Sequence, residues 1–177
     1  MVDFFTELKT KGLSPVSLTI DGNPTVIKAA KHVWPDLIIQ RCLVHIQRQG
    51  LAWCRVMPKT TSAKKLRQLF VILPKIKTLK ERDIFLSEVK KWEIKYGEEI
   101  ERRPEKGKVF SDLKRSRSML LKALPYMFWF IENNSIPSTT NLAEGYFSFL
   151  KSRYRSHRGL SPKRRRAFFE WFFQLKH

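Results

Sequence analysis

The sequence has few cysteines, few acidic residues and no long apolar run, and each shortage excludes a class of protein. Two cysteines, Cys42 and Cys54, are too few for a disulfide framework, so reduced thiols are expected. No apolar run approaches the roughly 20 residues of a membrane span. The opening MVDFFTELKTKG carries acids early and lacks a signal-peptide pattern. We therefore expect a cytoplasmic chain with no membrane partner.

The most pronounced imbalance is in charge. The 177 residues include 35 Lys and Arg but only 16 Asp and Glu, a formal net charge of +19. A charge of this size normally requires a polyanionic partner, most often nucleic acid. The alternative is a ribosomal or otherwise merely basic soluble protein. Hydrophobic residues make up 42% of the chain, enough for a sizeable core.

Residues 1–46 alternate helix and strand patterns. Apolar spacing predicts a helix over Val2–Lys11, and SPVSLTI then has the pattern of a strand ending at the turn DGNP. TVIKAAKHVW predicts a second helix, and LIIQRCLVHI begins as a second buried strand whose later part can continue as a helix. This order predicts a parallel α/β arrangement.

The rest of the chain lacks β signals. Residues 47–135 have helical apolar spacing and many charges, which predicts an all-α insertion. Residues 136–177 begin with a turn-rich loop and contain helix patterns near 141–155 and 162–176. The apolar face of the first is predicted to hold Leu142, Tyr146, Phe149 and Leu150. We thus expect three parts, a predominantly helical whole, and a basic C-terminal tail.

Two acidic residues occupy positions where a carboxylate can serve either chemistry or local structure. Asp21 precedes Gly22, which suits a simple turn, and it also ends a strand, where α/β sheets place functional groups. Glu144 lies three residues after Asn141, the spacing of a capping box. Lys151 follows Glu144 by seven residues, two helical turns, and could hold a phosphate near that carboxylate. Mg²⁺ prefers carboxylate oxygens and water, so Glu144 is a candidate ligand.

Two further patterns have a structural and a functional interpretation. Cys42 and His45 form a Cys-x-x-His pair, which is a weak zinc half-site or a buried thiol beside a structural histidine. The C-terminal segment is rich in bases with interleaved aromatics, which predicts helix packing with the bases turned towards phosphates or solvent. The candidate DNA-binding bases are Lys151, Arg153, Arg155, Arg158, Lys163, Arg164, Arg165 and Arg166.

Two segments together resemble the Mutator-type DDE transposases of bacterial insertion sequences. LTIDGNPTVIKAAKHVWPDLIIQRCLVHIQRQ is similar to the region around the second catalytic Asp of that family. PSTTNLAEGYFSFLKSRYRSHRGLSPKRRRAFFEWFF is similar to its TN-x-x-E-G helix and the HRGLS that follows. The resemblance covers roughly residues 1–45 and 136–176, separated by a helical segment of suitable length.

The resemblance implies an RNase H-like fold whose carboxylates hold two Mg²⁺ or Mn²⁺ ions for DNA strand cleavage and strand transfer. Asp21 would be the second carboxylate and Glu144 the third, both as metal ligands. Cys42 and His45 match the family's Cys-x-x-His, which would either pack near the metals or contact the residues that bind them. The implied partners are transposon ends and target DNA, with the chain acting at the nucleoid and possible self-association into a homo-oligomer.

One departure bears on activity. In the family the first Asp lies on an earlier strand, whereas the acids before Asp21 here are Asp3 and Glu7, both on a helix pattern. We therefore expect a partial RNase H-like core without its N-terminal strands, inactive alone unless a missing half supplies the first carboxylate. Three alternatives remain: a non-catalytic DNA-binding relic, another RNase H-like nuclease such as a junction resolvase, and a zinc protein.

Overall fold

The computed structural model of the chain describes residues 1–102, 108–157 and 159–175. Most of these residues are helical, and the described strands form one two-stranded parallel sheet, as expected. The elements are α1 Val2–Thr10, β1 Ser17–Ile20, α2 Pro24–Val33, β2 Ile38–Arg41, α3 Leu43–Cys54, α4 Thr61–Ile72, α5 Leu79–Arg102, α6 Lys108–Ala123, α7 Trp129–Glu132, α8 Asn141–Ser156 and α9 Pro162–Gln174. They form two compact units, Met1–Thr139 and Thr140–His177. The three-part division stays a prediction.

The α/β part of the first unit follows directly from its local signals. The side chain of Asn23 accepts hydrogen bonds from the backbone N–H groups of Thr25 and Val26 and so caps α2, with Pro24 as its first residue. Strand β1 pairs with β2 in parallel, from Ser17 opposite Ile38 to Ile20 opposite Arg41. One face of this layer is closed by a small apolar core, made of Ala30, Val33, Trp34, Leu37 and Ile39.

The helical part of the same unit has a larger core, built by α3 to α7. Its fully buried members include Leu43, Ile46, Leu66, Phe70, Leu73, Phe85, Leu120 and Met127. Gly50 lets α3 approach α4 closely, because a Cβ at this position would lie 2.4 Å from ring carbons of Phe70. Pro125 interrupts the helical run, since a 3₁₀ turn at Leu124–Tyr126 separates α6 from α7.

Specific hydrogen bonds join the α/β part to later segments of the first unit. Gln40 of β2 is fully buried, and its Nε2 donates to the carbonyl oxygen of Met127 at 2.8 Å. The Thr19 hydroxyl donates to the Pro137 carbonyl oxygen at 2.7 Å. The backbone N–H of Leu43 donates to the Ser138 carbonyl oxygen at 3.0 Å. The chain segment that leads out of this unit is therefore tied to β1 and to the start of α3.

The second unit consists of α8 and α9 with aromatic contacts within it. Tyr146 lies 5.7 Å from Phe172 and Tyr154 lies 5.3 Å from Phe169, measured between ring centroids. Leu150 is buried as predicted, but the inclusion of Leu142 in the apolar face is wrong, because 91% of its surface is exposed. No helix in the described ranges is long and apolar enough to cross a membrane.

Candidate functional site

Asp21 lies directly after β1, at the carboxyl end of the parallel sheet, and is exposed. Its Oδ1 accepts a hydrogen bond from the backbone N–H of Asn23 at 3.1 Å. Gly22, between them, has φ of +100°, a conformation that residues with a side chain rarely adopt. The turn thus holds one carboxylate oxygen in place while the side chain faces solvent. The turn and strand-end interpretations of Asp21 therefore describe the same geometry.

Arg41, the last residue of β2, lies against this turn. Its Nη2 donates to the backbone carbonyl oxygen of Asp21 at 3.0 Å. Burial lowers the pKa of the Arg41 guanidinium below its ordinary value, and the nearby Asp21 carboxylate opposes that shift. The site at the strand ends therefore combines a carboxylate with a guanidinium.

Cys42 and His45 lie beside the same strand end. The Cys42 thiol is fully buried. The backbone N–H of Cys42 donates to the Ile20 carbonyl oxygen at 2.8 Å, and Cys42 immediately precedes the first residue of α3. His45, one turn into α3, has its Nδ1 3.2 Å from the Cys42 Sγ. Within residues 1–102, 108–157 and 159–175, no group of three or more His, Cys, Asp or Glu side chains is placed to hold a metal ion.

Cys54, by contrast, belongs to the helical core. Its Sγ lies 3.4 Å from the Ser116 hydroxyl, and burial raises the pKa of the Cys54 thiol. A thiol with a raised pKa is a poor nucleophile and a poor metal ligand at neutral pH. Cys54 is therefore a packing residue.

Glu144 lies in the first turn of α8, in the second unit. The prediction that Asn141 caps this helix is wrong by one position, because Thr140 is the N-cap and Asn141 is the first helical residue. The Thr140 hydroxyl does not cap a backbone N–H; it donates a hydrogen bond to the Glu144 Oε1. A side chain four residues earlier thus orients the carboxylate, which is exposed.

A polar stripe runs along α8 from Glu144. Ser148, Lys151 and Arg155 follow at helical spacing and, with Phe147 and Ser152, line a surface concavity of about 680 Å³. The predicted proximity of Lys151 to Glu144 is therefore present on one face of the helix. An anion in this concavity would meet two cations and the Glu144 carboxylate.

The other predicted bases of the second unit are also exposed. Lys163, Arg164, Arg165 and Arg166 lie within the first five residues of α9, near the end where the helix dipole disfavours positive charge. Arg153 lies over the Phe149 ring at 5.1 Å and Arg165 over the Tyr154 ring at 5.7 Å. Arg158 lies outside the described residues. The described bases Lys151, Arg153, Arg155, Lys163, Arg164, Arg165 and Arg166 are hereafter called the basic surface.

A comparison with protein families identifies a match to the Mutator family of transposases over residues 2–155. The chain belongs to the Mutator family of transposases. No curated protein and no solved structure matches it. Membership of this transposase family places the chain in DNA transposition, with DNA as the partner in that process. The resemblance in the two terminal segments is thus confirmed at the level of the family.

The transposase match spans the candidate carboxylates but not the whole basic surface. Asp21, Glu144 and the Cys42–His45 pair all lie within residues 2–155, whereas the four bases of α9 lie beyond. Asp21 belongs to the first compact unit and Glu144 to the second. The roles of these residues in a Mutator transposase are taken up below as proposals.

Two residues of the site escaped the sequence reasoning. Arg41 follows a strand pattern and has no local feature that marks it, since its contact with Asp21 depends on strand register. Thr140 is one of two adjacent threonines, and only the helix start decides which of them meets Glu144.

Proposed function

We propose that the chain contributes Asp21 and Glu144 as carboxylate ligands for divalent metal in DNA strand cleavage and strand transfer. The observation that carries this proposal is the exposed Asp21 carboxylate at the carboxyl end of a parallel strand, in a chain of the Mutator family. Functional groups of α/β sheets collect at such strand ends. The strand, Asp turn, helix and strand order also supports a partial RNase H-like core.

The residues present fit a hard cation. Asp21 offers carboxylate oxygens to solvent, with Oδ1 held by the Asn23 N–H, and Glu144 is oriented by the Thr140 hydroxyl. Mg²⁺ and Mn²⁺ take oxygen ligands of this kind and retain waters. When bound, such metals would activate a water or a DNA 3′-hydroxyl and stabilise the leaving oxygen.

Lys151 and Arg155 lie on the same stripe of α8 as Glu144. In the proposed function these two cations would hold a DNA phosphate next to the Glu144 carboxylate.

The basic surface is the proposed contact for the DNA backbone. Four bases within the first five residues of α9 are unfavourable for an isolated helix, yet they are well placed to contact DNA phosphates. Phosphate contacts of this kind position DNA without reading its sequence. Cys42 and His45 would act indirectly, by fixing the start of α3 beside Asp21.

We further infer that the 177-residue chain does not cleave DNA by itself. Strands β1 and β2 carry no acidic residue, so neither offers another strand carboxylate to join Asp21 and Glu144. A supercoiled-plasmid nicking assay with Mg²⁺ tests this inference. Nicking that Glu144→Ala abolishes would contradict it, while nicking restored by a second polypeptide bearing a strand Asp would support it.

The metal site is tested directly by counting bound Mn²⁺ with electron paramagnetic resonance. Asp21→Asn and Glu144→Gln should each weaken Mn²⁺ binding by about tenfold or more, since each removes a charged oxygen ligand. Asp36→Asn and Glu170→Gln remove equally exposed carboxylates from the same two units and should leave it unchanged. An equal loss of Mn²⁺ affinity in all four variants would indicate non-specific electrostatic attraction and would contradict a defined metal site.

A non-catalytic DNA-binding protein is the second candidate, because the basic surface is exposed whatever the carboxylates do. This candidate would be favoured by DNA binding that weakens with salt but is unchanged by Asp21→Asn, together with the absence of a specific Mn²⁺ site. Preference for branched DNA over element ends would instead indicate another RNase H-like nuclease.

A further inference from the structure

Arg41 reaches Asp21 because of the strand register. The two parallel strands end together, with Ile20 paired to Arg41, so the side chain of Arg41 emerges next to the turn that follows β1. There its Nη2 donates to the Asp21 carbonyl oxygen at 3.0 Å. The contact joins residues 20 positions apart in the sequence.

The guanidinium of Arg41 occupies the space in which a side chain at position 22 would stand. A Cβ added to Gly22 would lie 2.0 Å from both Cζ and Nη2 of Arg41. Such a separation is far below van der Waals contact, so a larger residue at position 22 would displace the guanidinium. Two features therefore favour glycine at position 22. Its φ of +100° suits glycine, and the absence of a side chain leaves room for the Arg41 guanidinium.

The position of Arg41 is costly for a charged side chain. Its Nε is buried with no hydrogen-bond partner among the residues that the structure describes. A guanidinium normally has its donors satisfied when buried. The hydrogen bond of this guanidinium goes to the Asp21 backbone carbonyl oxygen, so Arg41 supports the turn that carries the Asp21 carboxylate.

We propose that Arg41 is a positioning residue that holds the Asp21 turn in the geometry its carboxylate needs to ligate a metal. The inference rests on the proposed function and deepens it. Two hydrogen bonds fix Asp21, one from Arg41 to its carbonyl oxygen and one from the Asn23 N–H to Oδ1. Ligands held in this way lose little freedom when a cation binds, and their supporting residues often matter nearly as much as the ligands.

The contact itself is tested by a double-mutant cycle in urea unfolding, without metal or DNA. Gly22→Ala should lower the unfolding midpoint strongly in the native background, through backbone strain and the clash with Arg41. In the Arg41→Ala background the same change should lower it less, because the clash is gone and only the strain remains. Additive shifts would show that the guanidinium does not lie over Gly22 and would overturn the proposal.

The role is tested by Mn²⁺ affinity in variants that remain folded. Arg41→Ala and the charge-retaining Arg41→Lys should both weaken Mn²⁺ binding, by about tenfold for a supporting residue of this kind. If Arg41 acted only by its charge, Arg41→Ala would tighten Mn²⁺ binding, since a cation near the site would be removed. Arg48→Ala, which removes an exposed arginine of α3, is the matched control and should have little effect.

The outcomes separate the two proposals. If Asp21→Asn leaves Mn²⁺ binding unchanged, the proposed function fails at its metal site. If Asp21→Asn weakens Mn²⁺ binding but Arg41→Lys and Arg41→Ala do not, the metal site stands and the positioning role of Arg41 is wrong. Weakened binding in both arginine variants, with unchanged binding in Arg48→Ala, supports it.

Discussion

The side-chain Nε2 of Gln40 donates hydrogen bonds of 2.8 Å to its neighbouring carbonyl oxygen at Arg41 and to that of Met127, 87 residues later. Its Oε1 accepts from the Phe130 N–H at 3.4 Å. This fully buried amide is the polar link between strand β2 and the segment from Met127 to α7. Strand β2 carries the arginine that contacts Asp21, so the link bears on the site as well as on the fold.

Replacing Gln40 by leucine should destabilise the chain by about 1–3 kcal/mol. The substitution removes the Gln40 donor from the buried Met127 carbonyl oxygen, and a polar group stranded away from water costs about this much. Urea unfolding followed by circular dichroism measures the change. Gln68→Leu, at an exposed position on α4, is the matched control, and an equal loss there would show that the buried amide is not special.

Gly50→Ala should destabilise the chain by about 1–3 kcal/mol through overpacking, despite the better helix propensity of alanine. The added Cβ would meet the Phe70 ring, which is fully buried and cannot move aside freely. Gly145→Ala is the matched change in α8, where nothing lies within 4 Å of the new Cβ. That variant should be neutral or stabilising by up to about 1 kcal/mol. The same thermal shift in both would contradict the close approach of α3 and α4.

Removing bases from the first turn of α9 should reduce the salt dependence of DNA binding. For every phosphate that is no longer neutralised, the slope of log K against log salt becomes shallower by about 0.9. The double variant Lys163→Gln with Arg164→Gln should therefore lose up to about 1.8 in slope on non-specific duplex DNA. Lys64→Gln with Lys90→Gln removes the same charge from exposed sites in the first unit. If both pairs change the slope equally, net charge and not the basic surface drives binding.

The N-terminal turn of α5 should lose stability in acid, because its capping hydrogen bonds depend on the ionised Glu81 side chain. Its Oε2 accepts from the backbone N–H groups of Lys77 and Thr78, and its own N–H donates to the Thr78 hydroxyl, a reciprocal capping box. These hydrogen bonds lower the pKa of Glu81 in the folded chain. A lowered pKa contributes stability above the ordinary value of about 4.3, and this is lost as pH falls through the folded value.

The measurement compares urea midpoints of the native chain and Glu81→Gln at neutral pH and near pH 3. The native chain should be the more stable at neutral pH, and the difference between the two should shrink in acid. Asp36→Asn is a control for removal of an exposed carboxylate outside any capping box. A difference that stays constant with pH would mean that the Glu81 hydrogen bonds are not formed in solution.

Much of the fold was predictable because its signals are local. The Asn23–Pro24 pair starts α2, Gly12 follows α1, and Pro125 interrupts the long helical pattern, and each acts through its own φ or hydrogen bonds. The same holds for Asp21, whose strand and turn are adjacent in the sequence. The helix start at Glu144 was off by one residue, because both Thr140 and Asn141 can cap and only the folded chain selects one.

The sequence by itself determined the basic character of the chain, its helical bulk, its small parallel sheet and the positions of Asp21 and Glu144. Composition and periodicity express these directly. Only the tertiary structure decided that Arg41 lies over Gly22, that Gln40 bonds to Met127, and that Cys54 is buried beside Ser116. These contacts join residues 19 to 87 positions apart, and they depend on strand register and helix packing, which no local pattern encodes.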